Sequence, residues 1–175
     1  LGGKSVATTM GLTALDGLPM GTRSGGIDPG VIFYLEREKG MTADEVEGFL
    51  YKKSGLLGIS GLSSDMRDLE ASGAPEAKLA VDYFAYRIVR ETGSLAAALG
   101  GLDALVFTAG IGENSALVRE KVCEGLSWRG VELDSEANSQ NALVISTGKS
   151  RARVYAIPTN EELVIAIKTT KMISA

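Results

Sequence analysis

Histidine is missing altogether from these 175 residues. Its absence removes Ser-His and Cys-His nucleophilic mechanisms from this chain's own resources and leaves oxygen ligands as the donors for any metal, which favours a hard cation such as Mg²⁺. Cysteine occurs once, at Cys123, so an intramolecular disulfide and a cysteine-cluster zinc site are both excluded. No apolar run approaches the ~20 residues a membrane helix needs, and the first residues lack the basic-then-apolar pattern of a signal peptide. No membrane partner is expected, and the cytoplasm is the expected location. Lys plus Arg number 18 against 22 Asp plus Glu, a net charge of −4, and this acidity argues against nucleic acid as a partner.

What is present is a globular composition, 45% hydrophobic and 23% charged, in a length that suits one domain. Glycine is abundant, 22 residues against 4 prolines, so backbone freedom is concentrated where loops approach something closely. Leu1 stands where an initiator Met is expected, which reads as a sign of a longer parent protein. Ser5 to Met10 is rich in β-branched residues and predicts a strand, followed by a glycine-punctuated loop from Gly17 to Gly26. Asp28-Pro29 opens a helix through about Lys39, and Thr42 to about Lys52 reads as a second. Pro75 opens the longest periodic segment, with Ala80, Phe84, Ile88, Thr92, Leu95 and Leu99 on one face and a bend expected at Gly93. Leu105-Val106-Phe107 and Arg153 to Ile157 read as strands, and Thr159-x-x-Glu162 reads as a capping box opening a last helix. Strands alternating with helices give an α/β layer structure.

Several segments carry residues suited to chemistry. Leu105 to Ser115 is strand, glycine turn and helix start, with Ser115 or Asn114 as the cap. Gly110 and Gly112 would let backbone come close to a nucleotide, and spacing alone leaves open a tight βα connection that needs glycine only for geometry. Serine at 115 breaks a full dinucleotide fingerprint, although Glu132 and Asp134 keep a Rossmann reading open. A Walker A loop at Gly148-Lys149-Ser150 is rejected, because the glycine required five positions earlier is Leu143. Arg23, in its glycine-rich loop, offers a planar fork for a carboxylate or phosphoryl group, or is a solvated loop arginine. Ser63 to Asp68 gathers hydroxyls, carboxylates and Arg67 within one turn, enough for a ribose diol, or equally a helix start with Ser64 as N-cap. In Thr159-Asn160-Glu161-Glu162 the capping box accounts for Glu162 and leaves Glu161 as the candidate for Mg²⁺.

Taken together, these segments resemble the acetate kinase family. Met20-Gly21-Thr22-Arg23-Ser24-Gly25-Gly26-Ile27-Asp28-Pro29 looks like the family's MGTRSGDIDP, Gly61 to Asp68 like part of SGLSSDMRD, Phe107 to Ser115 like FTGGIGENS, and Ile157 to Ala166 like IPTNEELVIA. The motifs occur in the family's order and the resemblance runs over essentially the whole chain. Gly26 in place of Asp and Ala109 in place of Gly are departures not expected to alter chemistry.

The resemblance implies a ribonuclease H-like fold of the sugar kinase, heat-shock ATPase and actin group, in which Ser5 to Met10 would be the third leading strand. It implies that Arg23 stabilises the phosphoryl group in flight. Asp65, Met66 and Arg67 with Gly110, Ile111, Gly112, Glu113 and Asn114 would line the ADP or ATP pocket, and Glu161 would help hold Mg²⁺. Family members are more than twice this length, so residues 1–175 correspond to a C-terminal nucleotide-binding and dimerisation domain. The absent N-terminal domain would carry an Asn for Mg²⁺, an acetyl-phosphate-binding Arg, the catalytic Asp and a His. The implied reaction interconverts acetate plus ATP with acetyl phosphate plus ADP, the implied assembly is a homodimer, and this piece alone is expected to be inactive. Propionate or butyrate as acceptor, and a non-catalytic nucleotide-binding or dimer-forming module, are the alternatives the sequence leaves open.

Overall fold

The fold is organised around one long helix. In the computed structural model, which describes residues 1–173 with the side chain of Glu161 outside the described set, helix α5 (Pro75–Leu99) has its proline at the first helical position and Gly100 as a left-handed cap. Its Ala77, Ala80, Val81, Phe84 and Ala85 are buried. They pack against α3 (Gly55–Ser60), α4 (Met66–Ala71) and α7 (Ala116–Gly125). The small residues at 77, 80 and 85 let those helices approach, while Leu56, Leu69, Val118, Val122 and Leu126 fill the space between them. The helix runs unbroken through Gly93, since its i to i−4 ladder needs no side chain there. The predicted apolar stripe holds through Ile88 and then thins: Leu95 is half-buried and Leu99 is 37% exposed.

The first two expected helices form as α1 (Pro29–Lys39), capped by Asp28 onto the Gly30 N–H, and α2 (Ala43–Lys52), closed by a reciprocal Thr42–Glu45 capping box. Only α2 buries apolar side chains, Val46 and Leu50; α1 buries none. Between them and α5, the loop Met20–Ser24 is pinned by backbone bonds from Leu56 N–H to the Met20 carbonyl and from Leu57 N–H to the Gly21 carbonyl, both 2.9 Å. Gly55 makes that approach possible: its φ is +60°, and a Cβ there would sit 2.1 Å from the Met20 carbonyl oxygen.

Two parallel strands, β1 (Ala104–Phe107) and β2 (Arg153–Ala156), pair in the register Ala104 with Arg153 through Phe107 with Ala156. The chain between them supplies α6 (Ala109–Asn114), α7, a short 3-10 turn at Ser127–Arg129 and α8 (Ser135–Ser139), and α9 (Glu161–Ile173) follows β2. The α/β expectation therefore stands, with a narrow sheet. Ser5 to Met10 corrects the reading: it is irregular, with Val6 50% and Met10 67% exposed. β-Branched residues fit a pleated surface but form a strand only where a neighbour completes the ladder, and neither described strand pairs with this segment. Among the described residues no helix is long and apolar enough to cross a membrane.

Candidate active site

Because β1 and β2 run parallel, both chains leave the sheet at the same end. There the Thr108 hydroxyl donates to the Ile157 carbonyl at 2.9 Å, and the Thr159 N–H and hydroxyl both donate to Glu113 Oε1 at 2.8 Å. These bonds lower the Glu113 pKa, the backbone donor contributing most. They also change the expected start of the last helix. Asn160, not Thr159, caps α9, its Oδ1 accepting from the Leu163 N–H at 2.9 Å, so the Thr159–Glu162 capping box does not form.

The residues after β1 make one compact helical turn where a glycine turn was expected. Gly112 lies flat on the strand, with 3.2 Å between the position of a Cβ and the Phe107 carbonyl carbon. A Cβ at Gly110 would meet nothing within 4 Å, so this stretch of wall is bare backbone open to a ligand. Ala109 takes φ +58°, a left-handed conformation that an alanine adopts at a cost and a glycine without one. Ser115 ends α6 and caps α7, accepting from the Val118 N–H at 3.0 Å and donating to Glu70.

Across from this turn stands the start of α4. Asp65, not Ser64, is its N-cap: the carboxylate accepts from the Arg67 N–H at 2.9 Å and is gripped by the guanidinium, Nε to Oδ1 at 3.0 Å and NH2 to Oδ2 at 2.5 Å. The side-chain bond from Arg67, then its backbone N–H, holds the Asp65 pKa at about 2. Arg67 itself projects into solvent, its side chain 87% exposed. Met66 points the other way and anchors the turn in the core at 5% exposure.

Together the two turns enclose a cavity of about 510 Å³ lined by Asp65, Arg67 and Glu70 on one side and Gly110, Ile111, Asn114 and Ser115 on the other. That volume falls within the ~300–1,000 Å³ range of small-molecule sites. The lining supplies an apolar side chain at Ile111, bare backbone at Gly110, a carboxylate pair and a cation. Asn114 braces its own turn, its Nδ2 donating to the Gly110 carbonyl at 2.8 Å. The structure thus brings five of the expected residues to one cavity. Met66 and Gly112 support it from behind, and Glu113 is turned towards Thr159.

Arg23 does not line this cavity. It is half-buried, NH1 donates to the Ala14 carbonyl at 3.3 Å, and the guanidinium lies 5.7 Å from the Tyr51 ring centroid. Its loop nevertheless abuts the site, since a Cβ at Gly21 would lie 2.7 Å from the Ser64 carbonyl oxygen. The expected metal ligand, the Glu161 side chain, lies outside the described residues. Among the described residues no three acidic or sulfur side chains gather as a metal cage.

Glu70 and Ser115 line the cavity without having been singled out as ligands. Glu70 follows Arg67 by three residues on α4, a helical spacing that places it on the same side. The deeper omission is Arg119, fully buried beneath the Gly110 turn. Nothing in its local sequence marks it, because its partners lie in other segments.

Comparison with known proteins gives this geometry a family. The acetate kinase of Nitrobacter hamburgensis is 59% identical over 172 residues, 98% of this chain and 43% of that protein. The acetate kinase of Methylocella silvestris is 60% identical over 171 residues, again 98% of this chain and 42% of the relative. This chain spans less than half the length of the curated relatives it matches. Among solved structures, the Porphyromonas gingivalis acetate kinase superposes with a TM-score of 0.87 at 43% identity, covering 94% of this chain and 43% of that one. A propionate kinase from Francisella tularensis follows at 0.85 and 43%, covering 90% and 41%. The fold is the one these kinases share, and with the acetokinase family model matching residues 1–167, the chain belongs to the acetokinase family.

Proposed function

We propose that this chain is the nucleotide-binding portion of an acetate kinase, acting with a further domain to move a phosphoryl group between ATP and acetate. The observation that carries the reading is the cavity in which Asp65 and Arg67 face Gly110, Ile111 and Asn114. Ile111 offers a hydrophobic surface to a base, Gly110 lets backbone approach a sugar or phosphate, and Asp65 and Arg67 supply hydrogen-bond partners of both signs. This donor set suits ADP or ATP. Mg²⁺ would neutralise phosphate charge, with Glu161 as this chain's contribution to holding it.

Arg23 is assigned to the phosphoryl group in flight, where a positioned guanidinium is worth about 10³ to 10⁵ in rate. That role requires its side chain to leave the Ala14 carbonyl and the Tyr51 ring, and the flexible side chain on a loop fixed by Gly55 allows such a movement. The proposed setting is a cytoplasmic homodimer.

ADP titration tests the reading. Micromolar binding by the chain, abolished in Asp65→Ala, supports it; absence of binding by the folded chain refutes it. The chain alone is expected to form no acetyl phosphate above background. The structural likeness to a propionate kinase supports a second acceptor. Comparing turnover of acetate, propionate and butyrate by the longer protein separates the two.

A further inference from the structure

Arg119 is 0% exposed, and it is bound by neutral oxygens alone. Nε donates to Asn138 Oδ1 at 2.7 Å, and NH2 donates to the Asn138 carbonyl at 2.8 Å and to Asn141 Oδ1 at 2.5 Å. NH1 donates to the carbonyls of Gly112 and Glu113 at 3.0 and 2.8 Å. Among the described residues no carboxylate lies within ion-pair distance of it. Burial lowers its pKa, the Cys123 and Glu70 charges working against that shift.

Burying a charge without an opposite charge is costly, and a plain core position would be better filled by an apolar side chain. What the guanidinium supplies is geometry. It has five N–H donors in a rigid fork, and each meets an acceptor here. Two of those acceptors are the carbonyls at the end of α6, whose Gly110, Ile111 and Asn114 line the cavity. The other three belong to α8 and the turn after it, where Asn141 holds φ +52°. Asn138 is itself buried and tied to α7 by its Nδ2, which donates to the Ala116 carbonyl at 2.9 Å.

We infer that Arg119 is a positioning residue that locks the Gly110–Asn114 turn onto α8 and so fixes one wall of the nucleotide cavity, an assignment that rests on the nucleotide reading for its functional half. The guanidinium does not face the ligand; it sets the position of the backbone that does.

Two measurements on the 175-residue chain test this, hydrogen exchange across residues 110–114 and ADP titration, each made on Arg119→Lys well below its unfolding midpoint. Lysine has three donors on a flexible stem and cannot satisfy the five acceptors, so exchange at 110–114 is expected to rise about tenfold or more, and ADP affinity to fall about tenfold. Val122→Ala is the control: it opens a void in the same helix without removing any of the fork's hydrogen bonds, and is expected to lower the unfolding midpoint while leaving both readouts within about twofold. Should Arg119→Lys fail to fold, Asn141→Gly keeps the left-handed backbone and deletes one acceptor, with exchange at 110–114 expected to rise about threefold. Exchange unchanged in the folded Arg119 or Asn141 variant overturns the inference, as does a Val122→Ala effect at 110–114 equal to that of Arg119→Lys. If the parent chain binds no ADP, the nucleotide reading falls and the exchange result still decides whether Arg119 holds the turn.

Discussion

The two walls of the cavity are held in opposite ways. The Asp65 wall is largely local: the Asp65 cap, its ion pair and the Ser63 hydroxyl bond join residues within one turn, only Glu70 is tied across the cavity, by the Ser115 hydroxyl, and the Arg67 guanidinium stands in solvent. The Gly110 wall is non-local, its carbonyls bound from beneath by a buried arginine whose remaining bonds reach residues 138 and 141. A wall built locally can rearrange around a ligand at small cost to the fold. A wall built across distant segments moves only if the core moves with it.

The sharpest way to break this comparison uses Cys123, four residues beyond Arg119 on α7. Burial pushes its thiol up to about 12 from an ordinary value of 9.0, with the Arg119 charge opposing the shift. A thiol raised from 9.0 to about 12 holds about a thousandth as much thiolate. Thiol-reagent labelling at pH 8 is therefore expected to be about a thousandfold slower in the native chain than in urea. Rapid native labelling would mean that the buried wall opens freely.

Next in size is Arg119→Leu. It strands the acceptors that the guanidinium now serves and is expected to cost about 3 kcal/mol or more in urea unfolding. A loss under 1 kcal/mol would show that water takes over those carbonyls and that the two walls are equally soft.

The Asp65 wall should show the reverse pattern. Asp65→Ala is expected to abolish micromolar ADP binding while lowering the unfolding midpoint only by the modest loss of an N-cap, because the exposed ion pair itself contributes little. Its pH dependence has a defined sign. The folded carboxyl is held at about 2, below the ordinary value of 3.8. The stability this group contributes is complete above pH 4 and is lost as pH falls towards 2. Unfolding curves of the parent and Asp65→Asn should therefore converge as pH falls through that window.

The smallest expected effect is at Ala109. Glycine there relieves the left-handed strain but increases the freedom of the unfolded chain, a net gain of about 0.5–1 kcal/mol for Ala109→Gly. A fall in melting temperature would mean that the methyl group makes a contact worth more than the strain. The departure from the family's usual glycine thus carries a stability cost that its chemistry alone does not reveal.

The same division governs what the sequence made legible. Caps and short-range patterns were readable: Asp28-Pro29, the Ser115 cap, the two strands and the first half of the α5 stripe all follow from neighbours a few residues apart. Asp65 replaced Ser64 as a cap because both side chains are competent and only the Arg67 fork decides between them. The Thr159 box failed because Glu113, 46 residues away, binds the threonine instead. Ser5 to Met10 failed for want of a partner strand. The cavity's local wall was marked by its own residues, whereas nothing near Arg119 pointed to carbonyls on both sides of it in sequence.

One feature of the sheet reaches beyond binding. Parallel strands lie about 4.8 Å apart and advance about 3.3 Å per residue. A slip of one residue between β1 and β2 would carry the Thr159 approach to Glu113 out of reach and turn Val154 from the core to the opposite face. The pairing of Phe107 with Ala156 is in this sense a ruler. Insertions in the surface loops leave its graduations intact, while a single deletion inside either strand would misalign the rim.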